Sequence, residues 1–449
     1  MTEVATVKDT YLAAFEAFER GGAGGGPGWL LRLRREAIAR FAEQGFPTVR
    51  LEDWKYTSVA PIAATTFRLA DGAFDSLPAE AIEALVVREP VAHRLVFVNG
   101  RYSAKLSSLA PLPAGARVAS LAEALITDAA VLERHLARYA GSDGIGYGFT
   151  ALNTAFAQDG AFVHLPPGVR VTEPIHLLFL ATSLTAPVLA QPRNLIVADR
   201  GSEATIIERY AGLGDDPYCT NAVTEIVLGE GAALEHDKIE QEGELAFHVG
   251  TTQVVQARDS TFTSGSIAFG GRLTRNNLGV RFAGAGGTCT LNGLYVPHGG
   301  QHVDNHTLIE HSEPRCTSRQ LYKGVIDGGA HAVFNGRVIV RQDAQHTDAH
   351  QTNKNLLLSE GAEVDTKPQL EIFADDVRCT HGAAVGQLDE DAVFYIRSRG
   401  LDMQAARTLL TYGFMSDVIN RIMVASIREQ LDGLLMARLR AGQGAKETR

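Results

Sequence analysis

A cysteine and a histidine lie two residues apart in the segment LEIFADDVRCTH, which ends at residue 381. If this segment is one strand, alternate residues share a face, so Asp375, Cys379 and His381 point the same way. A thiolate, an imidazole and a carboxylate on one face form a set that could bind a metal. A closed tetrahedral site needs four protein ligands, so the missing ligands would come from elsewhere in the fold or from a second chain.

Two other interpretations of this pair stay open at the level of the residues. Cys379 could be a nucleophile with His381 as its base, but side chains that project in parallel from a strand are poorly angled for that reaction. No third group that would orient the histidine is evident in the sequence. The two side chains could equally be satisfied polar groups at the end of a strand, with no chemical role.

Half of the 14 histidines lie between residues 298 and 350. Two sets have HxxxH spacing, which keeps the rings on one side of either a strand or a helix. Imidazoles placed in this way could bind zinc, iron or copper. Because no cysteine or carboxylate cluster of metal-site spacing lies near them, a hydrogen-bonded ladder across stacked strands is favoured over a metal site. These histidines are His298, His302, His306, His311, His331, His346 and His350.

The composition limits the class of protein. The chain has 449 residues, of which 42 are basic and 52 acidic, and its net charge of −10 argues against a nucleic-acid surface. The four cysteines form no CxxC pair, so they predict neither a disulfide framework nor a zinc ribbon. No apolar run suits a signal peptide or a membrane span. The sequence therefore predicts a protein of the reducing cytoplasm.

Several familiar catalytic motifs are missing from the sequence. It contains no GxxxxGK[ST] phosphate loop, no GxGxxG, no GxSxG and no HExxH. If the chain takes part in ATP-driven work, another chain must supply the nucleotide site.

The chain divides into three segments by the period of its apolar residues. Residues 1–150 predict a mainly helical domain, and residues 386–449 predict a second helical domain. Between them, residues 151–385 contain short runs rich in Val, Ile and Thr, separated by turn signals about thirty residues apart and later at about half that spacing. This repeat favours a parallel β-helix over a two-sheet sandwich. The turn signals are Gly201, Gly231, Asp259, Gly286, Gly329, Ala344 and Gly361.

The C-terminal segment predicts three helices, the last over residues 416–439. Its apolar residues recur at helical spacing and form one stripe. Such helices could cap the open edge of the β-helix or present an apolar face to another subunit. The stripe consists of Val418, Ile419, Ile422, Met423, Ile427, Leu431 and Leu434.

Two segments resemble a known family. KPQLEIFADDVRCTHGAAVGQLDEDAVFYIRSRGL, followed by ARTLLTYGF, resembles the C-terminal signature of the SufD branch of the SufB/SufD family, whose members are scaffold subunits of the SUF iron–sulfur cluster assembly system. EDWKYT at residues 52–57 is similar to the N-terminal signature of the same family. The two segments lie near opposite ends, so the resemblance covers nearly the whole chain. The form of both signatures favours SufD over its paralogue SufB.

The resemblance implies a fold, partners and a site. It implies a right-handed parallel β-helix between helical domains, and a non-catalytic subunit that pairs with a SufB-like paralogue and a SufC-like ATPase. It assigns to His381, supported by Cys379, a ligand role toward iron or a nascent cluster shared with SufB. Whether the lone chain forms a homodimer, and whether a flavin joins the complex, stays open. The expected ATPase-docking residues are Gly400, Leu401, Ala405, Ala406, Leu409, Leu410 and Phe414.

Two alternative functions, from other classes of protein, are less well supported by the residues. A carbohydrate-cleaving β-helix enzyme would need clustered acids in a groove and normally a secretion signal, which the sequence does not show. A His-rich metal-binding β-helix would use the 298–350 histidines, and its test is the metal content of the isolated chain.

Overall fold

A computed structural model of the protein describes residues 2–21, 25–70, 93–141, 146–182, 186–214 and 216–447, together with residues 77, 82 and 85. The two glycine-rich breaks predicted at residues 21–28 and 141–148 lie partly outside these residues. None of the helices in the described ranges is both long enough and apolar enough to cross a membrane.

Helices occupy the two ends of the chain. The first six precede the regular β region and the last three follow it. A short 3-10 helix, Glu52–Trp54, lies between α2 and α3. The α-helices are α1 Thr2–Arg20, α2 Gly28–Gln44, α3 Ala60–Ala64, α4 Leu121–Thr127, α5 Ala129–His135, α6 Tyr147–Ala155, α7 Glu390–Ser398, α8 Met403–Ile419 and α9 Ala425–Glu447.

Strands fill the centre of the chain. Those before residue 200 are short, and most of the later ones are 8 to 11 residues long. The strands are β1 Arg68–Leu69, β2 His93–Val98, β3 Arg101–Tyr102, β4 Ser108–Leu109, β5 Arg117–Ser120, β6 Ala161–Leu165, β7 Ile175–Ala181, β8 Val188–Ala190, β9 Arg193–Ala198, β10 Glu203–Gly212, β11 Tyr218–Leu228, β12 Ala233–Gln241, β13 Phe247–Gln256, β14 Thr261–Ala268, β15 Leu273–Phe282, β16 Thr288–Tyr295, β17 His302–His311, β18 Thr317–Ile326, β19 His331–Val340, β20 Asp348–Leu357, β21 Glu363–Ile372 and β22 Arg378–Gly386.

From β6 onward the strands build a parallel solenoid with two sheets. Sheet A runs from β6 through β9, β11 and the odd-numbered strands to β21, and sheet B runs from β7 through β10 and the even-numbered strands to β22. Glu203 pairs with Ala233, Thr261 with Thr288, and residue 317 with residue 348, so one turn takes 30, 27 or 31 residues. Because these strands pair in parallel, the β-helix prediction is confirmed and the sandwich is excluded.

One corner of each turn carries a residue in the left-handed backbone region. The predicted turn positions with this conformation are Gly201, Gly231, Asp259 and Gly286, whose φ angles lie between 54° and 76°. The series continues at Arg315 (φ 57°) and His346 (φ 60°). The later predicted positions are also turns: Gly329 and Gly361 lie at the opposite corner and Ala344 lies between β19 and β20, so their closer spacing arises because they fall at both corners. Arginine carries no turn signal, so the pattern of glycines could not reveal the corner at residue 315.

The N-terminal segment is tied to the solenoid in two ways. Strand β2 pairs in parallel with β7 and β5 pairs antiparallel with β6, so both sheets continue into residues 93–120. The EDWKYT segment crosses the outer face of sheet A, where Trp54 is fully buried under the guanidinium of Arg275, 4.1 Å from the ring centre. Thr57 donates to a carboxylate oxygen of Asp304, which also pairs with Arg275. These contacts give EDWKYT a structural role.

The C-terminal helices pack on the outer face of sheet B. Buried Val418 and Ile427 contact the outward residues of that sheet, such as Ile239 and Ile267. The helices therefore cover a face of the solenoid, which differs from both alternatives considered for them, a cap on the open edge and an apolar face for another subunit. The predicted third helix is in fact split: α8 continues to residue 419 and α9 begins at residue 425. Met423 lies in the link and is 71% exposed, so it does not belong to the buried stripe.

His311 makes the lumen of the solenoid sensitive to acid. Burial lowers the pKa of this ring to about 4, and its Nε2 lies 2.9 Å from Ser318 Oγ. The unfolded chain therefore takes up a proton first as the pH falls below about 6.5, and the free energy of unfolding decreases until the pH reaches about 4. We expect His311→Gln to remove about 2 kcal/mol of the stability loss between pH 7 and pH 4.5. Urea midpoints measured across this range check the prediction, and parallel profiles for the two proteins would contradict it.

Candidate functional site

The candidate site lies at the last turn of the solenoid. Strands β21 and β22 are the terminal strands of sheets A and B, so each pairs on one side only among the described strands. Most side chains of β19 are buried, whereas those of β21 are half-buried and those of β22 are mostly exposed. The C-terminal end of the lumen is therefore open, with two free strand edges beside it.

Cys379 and His381 both belong to β22. They pair in register with Ala349 and Gln351, whose side chains are buried in the lumen of the turn below. Alternation along the strand thus places the thiol and the imidazole on the inward face, over the open end of the lumen. Asp375 does not join them, because β22 begins at residue 378 and Asp375 lies in the preceding turn. The expectation that all three share a strand face is therefore wrong for the aspartate.

The thiol and the imidazole have different surroundings. Cys379 is half-buried against the apolar lumen, and this burial raises the pKa of its thiol, although a hydrogen bond from the Ala349 backbone N–H acts in the opposite direction. His381 is exposed. A thiol with a raised pKa is a weak nucleophile at neutral pH, so the burial of Cys379 disfavours the interpretation as a hydrolytic nucleophile.

Thr380, between the two, points outward and is tied to a different network. Its hydroxyl lies 2.7 Å from Nδ1 of His350, and Nε2 of His350 lies 3.0 Å from Asp348. Over the described ranges, no group of three or more His, Cys, Asp or Glu side chains is arranged to hold a metal ion. Cys379 and His381 therefore offer two ligand atoms and would need others from outside this part of the chain.

The 298–350 histidines do not converge. His302 and His331 are neighbours on adjacent strands of sheet A, with ring centres 4.8 Å apart. The Nε2 atom of His331 lies 2.8 Å from Asp365, and that of His302 lies 2.8 Å from the Thr57 hydroxyl. Burial lowers the pKa of His302 to about 4, so this ring is neutral at neutral pH. This arrangement fits the hydrogen-bonded ladder.

The expected docking residues are not equally accessible. Leu401 and Leu409 are 36% and 50% exposed. Ala406 is fully buried, and Phe414 is half-buried beneath Lys323, whose ammonium lies 4.6 Å from the ring centre. Gly400 is exposed, and Ala405 and Leu410 are half-buried.

Sequence reasoning missed the largest apolar side chains on this surface. Phe394 and Tyr395 of α7 are 72% and 59% exposed, and Met403 at the start of α8 is 42% exposed. The helical period of AVFYIRS could have indicated them, because Val393 is its one buried residue and the aromatic pair follows it directly.

The lumen also holds buried charges that the sequence pattern did not single out. The ammonium of Lys238 lies 2.9 Å from Glu240, and the ring nitrogens of His248 lie 2.8 Å from Glu240 and 2.9 Å from Glu242. Burial and Lys238 act to lower the pKa of His248, but its contacts with the two carboxylates more than offset them, so the pKa is raised. These four side chains therefore form one connected polar network inside the solenoid.

Comparison with known families matches almost the whole chain. The profile described as SUF system FeS cluster assembly, SufBD core domain, matches residues 179–414, which contain the solenoid from the end of β7 onward, Cys379, His381 and most of α8. The SufBD protein N-terminal region matches residues 6–177.

Similar curated proteins carry the same family name. The chain is 35% identical over 411 residues to an iron–sulfur cluster assembly SufBD family protein of Synechocystis, covering 90% of this chain and 89% of that protein. It is 33% identical to the iron–sulfur cluster assembly protein SufD of Escherichia coli, covering 91% and 93%. SufD of Bacillus subtilis is 25% identical, with 90% and 93% covered. Matched over both the N-terminal region and the core, the chain belongs to the SufBD family.

Proposed function

We propose that this chain is a SufD-type scaffold subunit in iron–sulfur cluster assembly, with His381 as a ligand to iron or to the nascent cluster and Cys379 in support. The observation that carries the proposal is the position of the pair on the inward face of the open last turn, one ligand exposed and the other half-buried. The assembly role named for the similar proteins of Synechocystis and Escherichia coli supports this function. In this scheme the chain is non-catalytic, acts in the cytoplasm, and receives iron and sulfur as cargo.

The missing ligands would come from a SufB-like paralogue. The open end offers the free edges of β21 and β22, and strand edges of this kind readily pair with another chain. Apolar side chains are exposed beside them: Ile372 at 41%, Phe373 at 57% and Val385 at 47%. A second β-helix that presented its own last turn would cover these side chains and bring its ligands to His381. Without the paralogue, the same edges would support a homodimer.

A SufC-like ATPase would dock on α7 and α8. Phe394, Tyr395, Leu401 and Leu409 are exposed apolar side chains on α7, on α8 and in the link between them, and exposed apolar patches mark sites of protein association. Because the sequence carries no phosphate loop, the nucleotide site is assigned to that partner. ATP binding there would shift the paired subunits between states by binding one state more tightly than the other.

A charge placed on this surface tests the docking assignment. We expect Leu409→Glu to weaken binding of the ATPase by ~30-fold or more, because a buried apolar anchor is replaced by a charge without a partner. Leu245→Glu is the matched control, since Leu245 is 46% exposed on a turn of the solenoid far along the chain from α8. Affinities measured by calorimetry with the purified ATPase check the prediction. Equal affinities of Leu409→Glu and the wild type would refute the docking site.

A further inference from the structure

A cavity of about 290 Å³ lies between the C-terminal helices and the outer face of sheet B. Its floor is apolar and comes from successive turns of the solenoid, with Val296, Val325 and Leu358. Leu388 and Leu439 add further apolar surface from the segment after β22 and from α9. The volume is near the lower end of the range for small-molecule pockets, so a compact ligand would fit it.

Two arginines give this cavity a positive charge. Arg438 of α9 donates from one guanidinium nitrogen to Gln301 Oε1 at 2.9 Å, while its Nε is buried and has no hydrogen-bond partner in the structure. Within the described residues, Arg438 forms no ion pair at 4 Å or less. Arg407 of α8 lies 3.6 Å from Glu390, which is 73% exposed, so that pair is long and open to solvent.

Asp327 is the acidic residue among those that line the cavity. Asp327 accepts hydrogen bonds from the Gly328 backbone N–H and from the Ser359 hydroxyl, so its carboxylate is occupied by its own turn. Burial lowers the pKa of Arg438 to about 10, and the guanidinium is therefore still charged at neutral pH. The carboxylate whose charge acts on Arg438 belongs to Glu244, which is 80% exposed and lies beyond ion-pair distance, so a bound anion would offset more of the cost of burying this cation.

We propose that this cavity is a binding site for a small organic carboxylate. Arg438 holds the carboxylate group by charge-assisted hydrogen bonds and Arg407 adds to the positive field. The apolar part of the ligand lies over Val325 and Leu358, a surface that an inorganic anion would leave uncovered. The site is distinct from the proposed ligand pair, because none of its lining residues belongs to the last turn, and its α8 residues, such as Arg407, are not among the expected docking residues.

Titration of the full chain with 4-fluorobenzoate, followed by fluorine NMR, tests the site. We expect saturable binding, and binding of the neutral 4-fluorobenzyl alcohol that is at least ~10-fold weaker. Arg438→Met keeps the length of the side chain and should weaken 4-fluorobenzoate by ~10-fold or more. Arg421→Met is the matched control, because Arg421 pairs with Asp417 at 3.3 Å outside the cavity, and it should bind as the wild type does.

A second variant keeps the test decisive if Arg438→Met fails to fold. Arg407→Gln removes a partly exposed side chain, so the fold should tolerate it, and it should weaken the probe by ~3-fold or more. The proposal is overturned if 4-fluorobenzoate shows no saturable binding, if the neutral alcohol binds as tightly, or if both arginine variants bind like the wild type. Displacement of the probe by an equal concentration of inorganic phosphate would overturn the role of the apolar floor.

Discussion

His381→Ala should fold, bind both partner subunits and lower cluster formation on the assembled complex by ~10-fold to 100-fold. Loss of an outer-sphere partner of a metal ligand already reduces metal affinity or activity by such factors, and loss of a ligand should cost at least as much. Folding should be unaffected because His381 is exposed on the terminal strand. The measurement is the yield of cluster, by visible absorption and iron and sulfide content, on a complex reconstituted with a SufB-like subunit and an ATPase.

His350→Ala is the matched control for this variant. His350 lies on the neighbouring strand β20 and its side chain is 47% exposed, but it points outward toward Thr380 and Asp348. We expect a normal cluster yield from it. If the yield with His381→Ala equals that with His350→Ala while both complexes assemble, His381 is not a ligand in assembly. A reduced yield with Cys379→Ser would in turn support the contribution of the half-buried thiol.

The periodicity of the sequence predicted the architecture because every turn of a solenoid repeats the same local pattern of strands and corners. Each turn places valine, isoleucine and threonine inward at alternate positions of its strands and changes direction at the corner after each strand. Where that corner carries glycine or aspartate, as at Gly231 and Asp259, the turn could be read directly. Where the corner carries Arg315 or His346, the neighbouring turns stabilise the same left-handed backbone conformation, and no local residue preference predicts it.

The candidate site was only partly predictable for a related reason. Spacing placed Cys379 and His381 on one face, because both lie within one strand. The position of Asp375 depended on where that strand begins, and strand boundaries are set by pairing with β20, which the local sequence does not specify. The side of the solenoid that the C-terminal helices cover depends likewise on outward residues such as Ile207 and Ile239, far away along the chain.

The buried charges of the lumen depend on contacts between turns. Lys238 and His248 lie on different strands in different sheets, and the backbone of Gly250 leaves the space that the lysine occupies, since a Cβ there would collide with its ammonium. Alternation predicts an inward position for Lys238, but a lysine in a strand is most often on the solvent side. Its carboxylate partner Glu240 lies two residues along the same strand, whereas its contacts with His248 and Asn276 form only when the turns stack.

Removal of Glu240 should be the most destabilising change in this lumen. Its carboxylate is fully buried and lies against Lys238 and His248, with Asn276 donating to its second oxygen at 2.6 Å. Glu240→Ala would leave the buried ammonium of Lys238 without its carboxylate, while His248 keeps its contact with Glu242, and we expect a loss of about 3–5 kcal/mol in the free energy of unfolding. The exposed Glu230→Ala should change it by less than about 0.5 kcal/mol.

A double substitution separates the charge interaction from simple loss of packing. Lys238→Met combined with Glu240→Met replaces the buried ion pair by apolar side chains of similar size, so the double variant should lose less stability than the two single variants together. Urea unfolding of the four proteins at pH 7 measures the coupling, with circular dichroism confirming that each folds. If the losses simply add, Lys238 and Glu240 do not stabilise one another, and the lumen charges would have to be held by His248 and Asn276 instead.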